Sequence, residues 1–128
     1  ALQPNIGCEV CPLCRGGSRN LCPSKIRKGV DADGVFAEYV CAPAGYLWPV
    51  PERLADAVAV FAEPLAVVVH AMAVATPKKG ASVLILGAGV IGLLALQLAA
   101  KSGAEISALD LNARRLEQAR QLGAVGTY

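Results

Sequence analysis

The chain has 128 residues, 12 Lys and Arg against 10 Asp and Glu, and a net charge of +2. Its cations are spread along the sequence and form no single basic stripe, which argues against a nucleic-acid partner. Hydrophobic residues make up 55% of the chain, a share that fits buried parallel strands and Ala/Val/Leu-rich helices better than a freely solvated chain.

No basic segment followed by an apolar run stands at Ala1, so no secretory signal is read and a cytoplasmic setting is expected. At this length the chain could form one ordinary domain, but its patterns look like parts of two.

Cys8, Cys11, Cys14 and Cys22, separated by two, two and seven residues, occupy an opening segment poor in apolar side chains. Thiolates so close in sequence can enclose one zinc ion in a tetrahedron at about 2.3 Å, leaving no open position for chemistry. Such a site is structural, and its metal holds together a lobe with almost no core of its own. Two other readings remain open here. Disulfides would require an oxidising compartment, and an iron-sulfur cluster would follow the ferredoxin-like opening with Pro23 after the last cysteine. That pattern, however, calls for three residues before its fourth ligand, and seven are present. Arg15, Arg19, Lys25, Arg27 and Lys28 make the lobe basic, and their cations would offset the charge of a four-thiolate site.

Val35 to Cys41 is rich in β-forming residues, and Tyr46 to Val50 is a second short extended piece. Pro43, Gly45, Pro49 and Pro51 confine both to an irregular antiparallel sheet. Cys41, distant from the other four, is expected to be a small buried apolar residue. Leu54 to Phe61 and Pro64 to Ala75 read as two helices, with Pro64 suited to a first turn and Glu63 just before it at the positive end of the dipole. His70 lies seven residues beyond Glu63, about 10 Å along the same helix. One rigid helix therefore cannot bring both onto one ion, and His70 is expected in the core or at an interface. The polar turn Thr76 to Gly80 follows. A lone histidine and the lack of a nucleophile-elbow glycine pattern argue against a hydrolase.

The apolar run Ser82 to Leu86, the glycines Gly87, Gly89 and Gly92, and a helix-periodic segment to Lys101 read as strand, turn and helix. The strand is short enough to be buried on both faces. Gly87 would allow the tight turn, Gly89 would let a pyrophosphate approach the main chain, and Gly92 would let the helix pack closely on the strand. The anion would sit at the helix N-terminus. A second strand, Ile106 to Leu109, ends at Asp110, 18 residues beyond Gly92, where a carboxylate would accept hydrogen bonds from a ribose. Asn112 caps a third segment, Ala113 to Leu122, stopped by Gly123, and Ala124 to Tyr128 starts a third strand. Val83 to Ala100 also meets the length of a membrane span, but its three glycines and the amphipathic helix that follows the second strand fit a doubly wound sheet better.

The four cysteines, then Gly34-Val35-Phe36-Ala37-Glu38-Tyr39-Val40, then Phe61-Ala62-Glu63-Pro64-Leu65-Ala66, then Val83 to Gly92 stand in the order and spacing of the zinc-containing medium-chain dehydrogenases. The sequence resembles that family over nearly its whole length. Its Glu-Pro-Leu segment is more similar to the polyol and threonine dehydrogenase branch than to the animal alcohol dehydrogenases.

The resemblance implies an α/β fold in two parts. Residues 1–76 would be part of a GroES-like catalytic domain with a zinc lobe at about 7–23, and residues 77–128 the first half of a Rossmann sheet. Cys8, Cys11, Cys14 and Cys22 would bind structural zinc, and Glu63 would lie at a catalytic zinc, directly or through water. Gly87, Gly89, Val90, Ile91 and Gly92 would line the pyrophosphate, with Asp110 at the adenosine ribose and Arg115 at the adenosine end. Asp110 would repel a 2'-phosphate and so favours NAD, while Arg114 and Arg115 keep NADP open.

The resemblance further implies a small secondary alcohol as substrate, Lewis-acid activation by zinc and hydride transfer to the nicotinamide. It also implies a dimer or tetramer, with neither nucleic acid nor membrane as partner. Asp33 departs from a frequent glycine of the family, which a turn tolerates. The family's remaining zinc ligands, a cysteine and a Gly-His-Glu motif, and the nicotinamide half of the sheet are not found in these residues. The chain is therefore expected to be a fragment without turnover by itself. The rival reading is a non-catalytic module with a zinc lobe and a nucleotide-binding turn.

Overall fold

A computed structural model describes residues 1–128. Two compact units divide the chain, Ala1–Ala55 and Asp56–Tyr128.

In the first unit, β1 (Asn5–Ile6) pairs antiparallel with β2 (Ile26–Arg27), Asn5 opposite Arg27 and Ile6 opposite Ile26. Between them lie one turn of helix, α1 (Pro12–Arg15), and a 3-10 turn, Arg19–Leu21. Pro12 starts α1 because its fixed φ suits a helix start and its missing N–H needs no partner there. The side chain of Cys11 caps the same helix by accepting from the Cys14 N–H. The buried side chains of this unit are Cys14, Cys22 and Tyr46, so two cysteines and a tyrosine stand where a larger unit would have a hydrocarbon core.

The expected antiparallel sheet over Val35 to Val50 does not form. Val35 to Cys41 has no strand partner, Phe36 and Tyr39 are almost fully exposed, and Tyr46 closes a 3-10 turn, Ala44–Tyr46. A single bridge joins Leu47 to Leu2. β-forming side chains favour an extended backbone, but a ladder needs a neighbour to complete its hydrogen bonds, and no segment runs beside Val35 to Cys41. Cys41 is exposed for the same reason, against the expectation of burial.

The second unit opens with a single helical turn, α2 (Asp56–Ala59), followed by α3 (Ala62–Ala75). The first helix is shorter than its sequence pattern suggested, and α3 starts two residues earlier, placing Glu63 inside its first turn. Pro64 fits there because an N–H in the first turn has no helical acceptor. Thr76, with φ 42°, ends the helix in the left-handed region. Together Asp56–Ala75 form 20 residues apolar enough to cross a membrane by length and composition; here α3 packs against α4 (Val90–Ala100).

Three parallel strands follow in the order β3 (Ser82–Leu86), β4 (Glu105–Leu109), β5 (Gly126–Thr127), with α4 and α5 (Ala113–Gln121) as the crossovers. Leu86 lies opposite Leu109, so β3 and β4 end together. The core is Ala88, Leu96, Ala99, Ile106, Ala108 and Ala119, with Met72, Val83, Ile85 and Leu93 packed on it. Four alanines let helix and sheet approach closely, while Leu96 and Ile106 supply the large buried surfaces, about 1.5–3 kcal/mol each. β3 is not buried on both faces as expected. Val83 and Ile85 face the core, whereas Leu84 is 53% and Leu86 74% exposed, since no helix covers that side of the strand. The run Val83 to Ala100 is thus broken into strand, turn and helix and forms no continuous span.

Candidate functional site

Two sites emerge, one in each unit. In the first, the Sγ atoms of Cys8, Cys11, Cys14 and Cys22 all lie within 4.8 Å of one another. The Cys11 and Cys22 sulfurs are 3.8 Å apart, and all five cysteines are free thiols. A tetrahedron with sulfurs about 2.3 Å from its centre has edges of about 3.8 Å, so this cradle fits one ion. A multi-iron cluster would spread its thiolates outward over several metals, a poor match to so tight a set.

The cradle is built by local backbone. N–H groups of Cys11 and Cys14 donate to the sulfurs of Cys8 and Cys11 at 3.4 Å, and the Cys8 N–H donates to Cys22 at 3.5 Å. The N–H groups of Val10 and Cys11 hold the Cys8 thiol down to about 6, whereas burial pushes Cys14 up to about 12. Four thiolates this close repel one another, and a divalent cation is the counter-charge that would let all four ionise.

A second layer of side chains surrounds the loop that bears Cys8. Tyr46, buried, accepts from the Gly7 N–H at 2.9 Å and donates to the Glu9 carboxylate. Arg19 Nε reaches both oxygens of Glu9 at 3.0 and 3.1 Å, and its guanidinium stands 6.0 Å from the Tyr46 ring centre. The Tyr46 hydrogen bond, with Arg19 behind it, lowers the Glu9 pKa, and Glu9 in turn raises that of Tyr46. Glu9 has φ 62°, a left-handed conformation that costs a non-glycine residue about 1–2 kcal/mol. Arg27 pairs with Asp31 at 2.7 Å. Two of the lobe's cations thus face carboxylates, and the expected direct offset of thiolate charge is smaller than their number suggests.

Sequence reasoning did not find Tyr46 or Glu9. Tyr46 lies 37 residues from Glu9, and no local pattern marks such a pair.

In the second unit the three glycines have three different reasons to be glycine. Gly87 turns the chain with φ 93°, which side chains rarely adopt. A Cβ on Gly92 would lie 1.9 Å from the Gly87 carbonyl oxygen and 3.3 Å from Ile85 Cγ2, so the helix could not sit where it does. A Cβ on Gly89 would meet nothing within 4 Å; space is open there, as an approaching phosphate requires. α4 begins after Gly89 without a side-chain cap, which leaves first-turn N–H groups for an anion. Val90 and Ile91 are about half exposed on that first turn.

Asp110 follows the carboxyl end of β4, beside the turn. The Ala88 N–H donates to its Oδ2 and the Asn112 N–H to its Oδ1, each at 2.8 Å, and Arg115 Nη1 lies 3.6 Å from Oδ2. The Asn112 and Ala88 N–H groups, with Arg115 behind them, hold the carboxyl below its ordinary value. A carboxylate has about four lone-pair sites, so acceptor capacity remains for sugar hydroxyls. Asn112 also caps α5, accepting from the Arg114 N–H at 2.9 Å and the Arg115 N–H at 3.4 Å. Gly87, Leu109, Asp110, Leu111, Asn112, Ala113 and Arg115 line an open cleft of about 660 Å³, at the edge where doubly wound sheets bind nucleotides.

Glu63 and His70 are both exposed on α3, which excludes a core role for His70. The four cysteines are the one grouping of metal-ligating side chains, and Glu63 stands outside it.

A thiolate lobe ahead of a parallel sheet with a glycine turn defines the class of two-domain, GroES-like plus Rossmann-type proteins. Residues 1–52 match the alcohol dehydrogenase GroES-like domain, and residues 57–126 match the alanine dehydrogenase/PNT C-terminal domain. The chain belongs to the zinc-containing medium-chain dehydrogenase/reductase family.

Among its relatives is an L-threonine 3-dehydrogenase of Xanthomonas campestris pv. campestris (strain B100), 40% identical over 123 residues, or 95% of this chain and 36% of the relative. A short chain alcohol dehydrogenase of E. coli CFT073, solved with NADH, superimposes with TM-score 0.89 at 35% identity over 100% of this chain and 39% of that one. A proposed zinc-binding dehydrogenase of Sinorhizobium meliloti 1021 bound to NADP gives TM-score 0.89 at 40% identity over 100% and 38%. The chain thus spans just over a third of the length of the relatives it matches.

Proposed function

We propose that this chain forms the structural-metal lobe and the adenine half of the dinucleotide site of a zinc-dependent dehydrogenase. That enzyme would move hydride between a secondary alcohol, a polyol or hydroxy amino acid, and NAD. In this reading residues 1–76 belong to the catalytic domain and 77–128 to the nucleotide domain, and the intact protein is a homo-oligomer. The observation that carries it is Asp110 bonded to the Ala88 N–H of the glycine turn and lining one cleft with Gly87, with open space at Gly89.

When bound, zinc supplies Lewis acidity toward the alcohol and the nicotinamide supplies the hydride acceptor. This chain's part is binding and orientation. The turn from Gly87 to Gly92, with Val90 and Ile91 beside it, holds a diphosphate by main-chain N–H groups. Asp110 accepts from the adenosine ribose, and Arg115, within reach of Asp110, stands at the adenosine end. The Asp110 charge favours NAD, and Arg114 and Arg115 set how far a 2'-phosphate is tolerated. Cys8, Cys11, Cys14 and Cys22 hold the structural ion; Glu63 is assigned to the catalytic one.

The test is titration of the full-length protein with NADH and NADPH, followed by nicotinamide fluorescence, beside Asp110→Asn. NADH should bind at least about tenfold more tightly than NADPH, and Asp110→Asn should narrow that gap. A protein that binds neither nucleotide loses this assignment. Nucleotide binding without oxidation of any polyol or hydroxy amino acid would favour a non-catalytic binding module.

A further inference from the structure

The four thiolates do not stand alone; they hang on a loop whose conformation a distant tyrosine determines. Gly7 is wedged between the cradle and Tyr46: a Cβ there would fall 2.7 Å from Cys14 Sγ and 3.4 Å from the Tyr46 hydroxyl. Two residues on, Glu9 sits between the ligands Cys8 and Cys11 with a left-handed φ of 62°. A conformation that side chains disfavour persists only where the surroundings fix it, and three contacts do so. Tyr46 donates to the Glu9 carboxylate, Arg19 grips both its oxygens at 3.0 and 3.1 Å, and the Gly7 N–H ends on the same phenol at 2.9 Å. The segment that presents Cys8 is therefore pinned on both sides of the ligand.

Because the lobe's other buried side chains are Cys14 and Cys22, no hydrocarbon packing takes over if the phenol is lost. Resting on the reading that the cysteines hold zinc, we propose that Tyr46 is a positioning residue for that ion: through Gly7 and the Glu9–Arg19 pair it sets the Cys8 thiolate at the distance a tetrahedral site needs and so retards metal release. Partners outside a metal's ligand set commonly change affinity by about 10–100-fold. A single buried phenol touching both flanks of one ligand belongs in that range.

Tyr46→Phe removes the hydroxyl and keeps the ring beneath Arg19. The full-length, zinc-loaded protein and its Tyr46→Phe, Glu9→Gln and Leu96→Ala variants would be mixed with a chromogenic chelator, and zinc release timed. The same four proteins loaded with cobalt would be compared by their thiolate-to-metal absorption bands. Tyr46→Phe should release zinc at least about tenfold faster and shift or weaken the cobalt bands. Glu9→Gln should act in the same direction, and the double variant should fall short of the product of the two single effects. Leu96→Ala weakens the core of the other unit and should lower the melting temperature while leaving release and spectrum unchanged.

Release from Tyr46→Phe at the wild-type rate with an unshifted spectrum overturns the inference while leaving the zinc reading intact. Equal acceleration by Leu96→Ala also overturns it, since the effect would then be general loosening. Wild-type protein that purifies without about one zinc per chain, and takes none up, overturns both.

Discussion

Gly89 and Gly92 belong to one motif, yet a methyl group tells them apart. Alanine is normally better than glycine inside a helix by about 1 kcal/mol, but at Gly92 its Cβ would overlap the Gly87 carbonyl at 1.9 Å. Gly92→Ala should therefore destabilise the protein by about 3 kcal/mol or more, read from denaturant midpoints. Gly89→Ala meets nothing within 4 Å and should change stability by less than about 1 kcal/mol, yet weaken NADH about tenfold or more by fluorescence titration. If Gly89→Ala binds NADH normally, the pyrophosphate does not cross that point.

Asp110 gives a pH test of the same turn. Its folded pKa lies below the ordinary 3.8 because of the Asn112 and Ala88 N–H groups. Its contribution to stability is thus complete above that value and is lost as pH falls through the lower folded one. Urea midpoints of the wild-type protein should fall in this acid window, and Asp110→Asn should remove that part of the decline. The places of Gly92 and Asp110 were legible in the sequence because they follow from position in a β-α-β unit. Tyr46 was not, because its importance arises only when the chain folds it back onto Glu9.

Among elements, legibility followed whether a segment carries its own partner. α4 and α5 satisfy their backbone internally, and β3, β4 and β5 pair with neighbours supplied by the same repeating unit, so apolar runs, glycines and the Asn112 cap were enough to place them. Val35 to Cys41 has strand-forming side chains and no neighbour, and it stays irregular. The lobe between β1 and β2 is the opposite case, where spacing gave the four converging cysteines but not the fold around them. Its order should depend on the ion: stripping zinc with a chelator should speed hydrogen exchange at the Cys11, Cys14 and Cys22 amides. Amides of β3 and β4, held by parallel pairing and the alanine-rich core, should exchange as before. Equal loss of protection in both units would show that the metal supports the chain as a whole and not the lobe alone.

At the scale of the whole molecule, the question is how many metal ions these 128 residues can hold. Cys8, Cys11, Cys14 and Cys22 converge closely enough to fill a tetrahedron around one ion, which would leave the lobe no position for substrate. A catalytic ion needs three protein ligands besides its open position, and the remaining candidates do not converge. Glu63 and His70, exposed on α3, are separated by about 10 Å of helix, and the four cysteines are the one grouping of metal-ligating side chains. The 128-residue polypeptide, expressed with zinc in excess, should therefore carry about one zinc per chain by elemental analysis and show no alcohol-dependent reduction of NAD. Cys14→Ser should abolish that single ion, whereas Glu63→Gln should leave the count unchanged. Two zinc ions per chain, one of them lost in Glu63→Gln, would mean that α3 assembles a second site and that a catalytic centre can form within these residues.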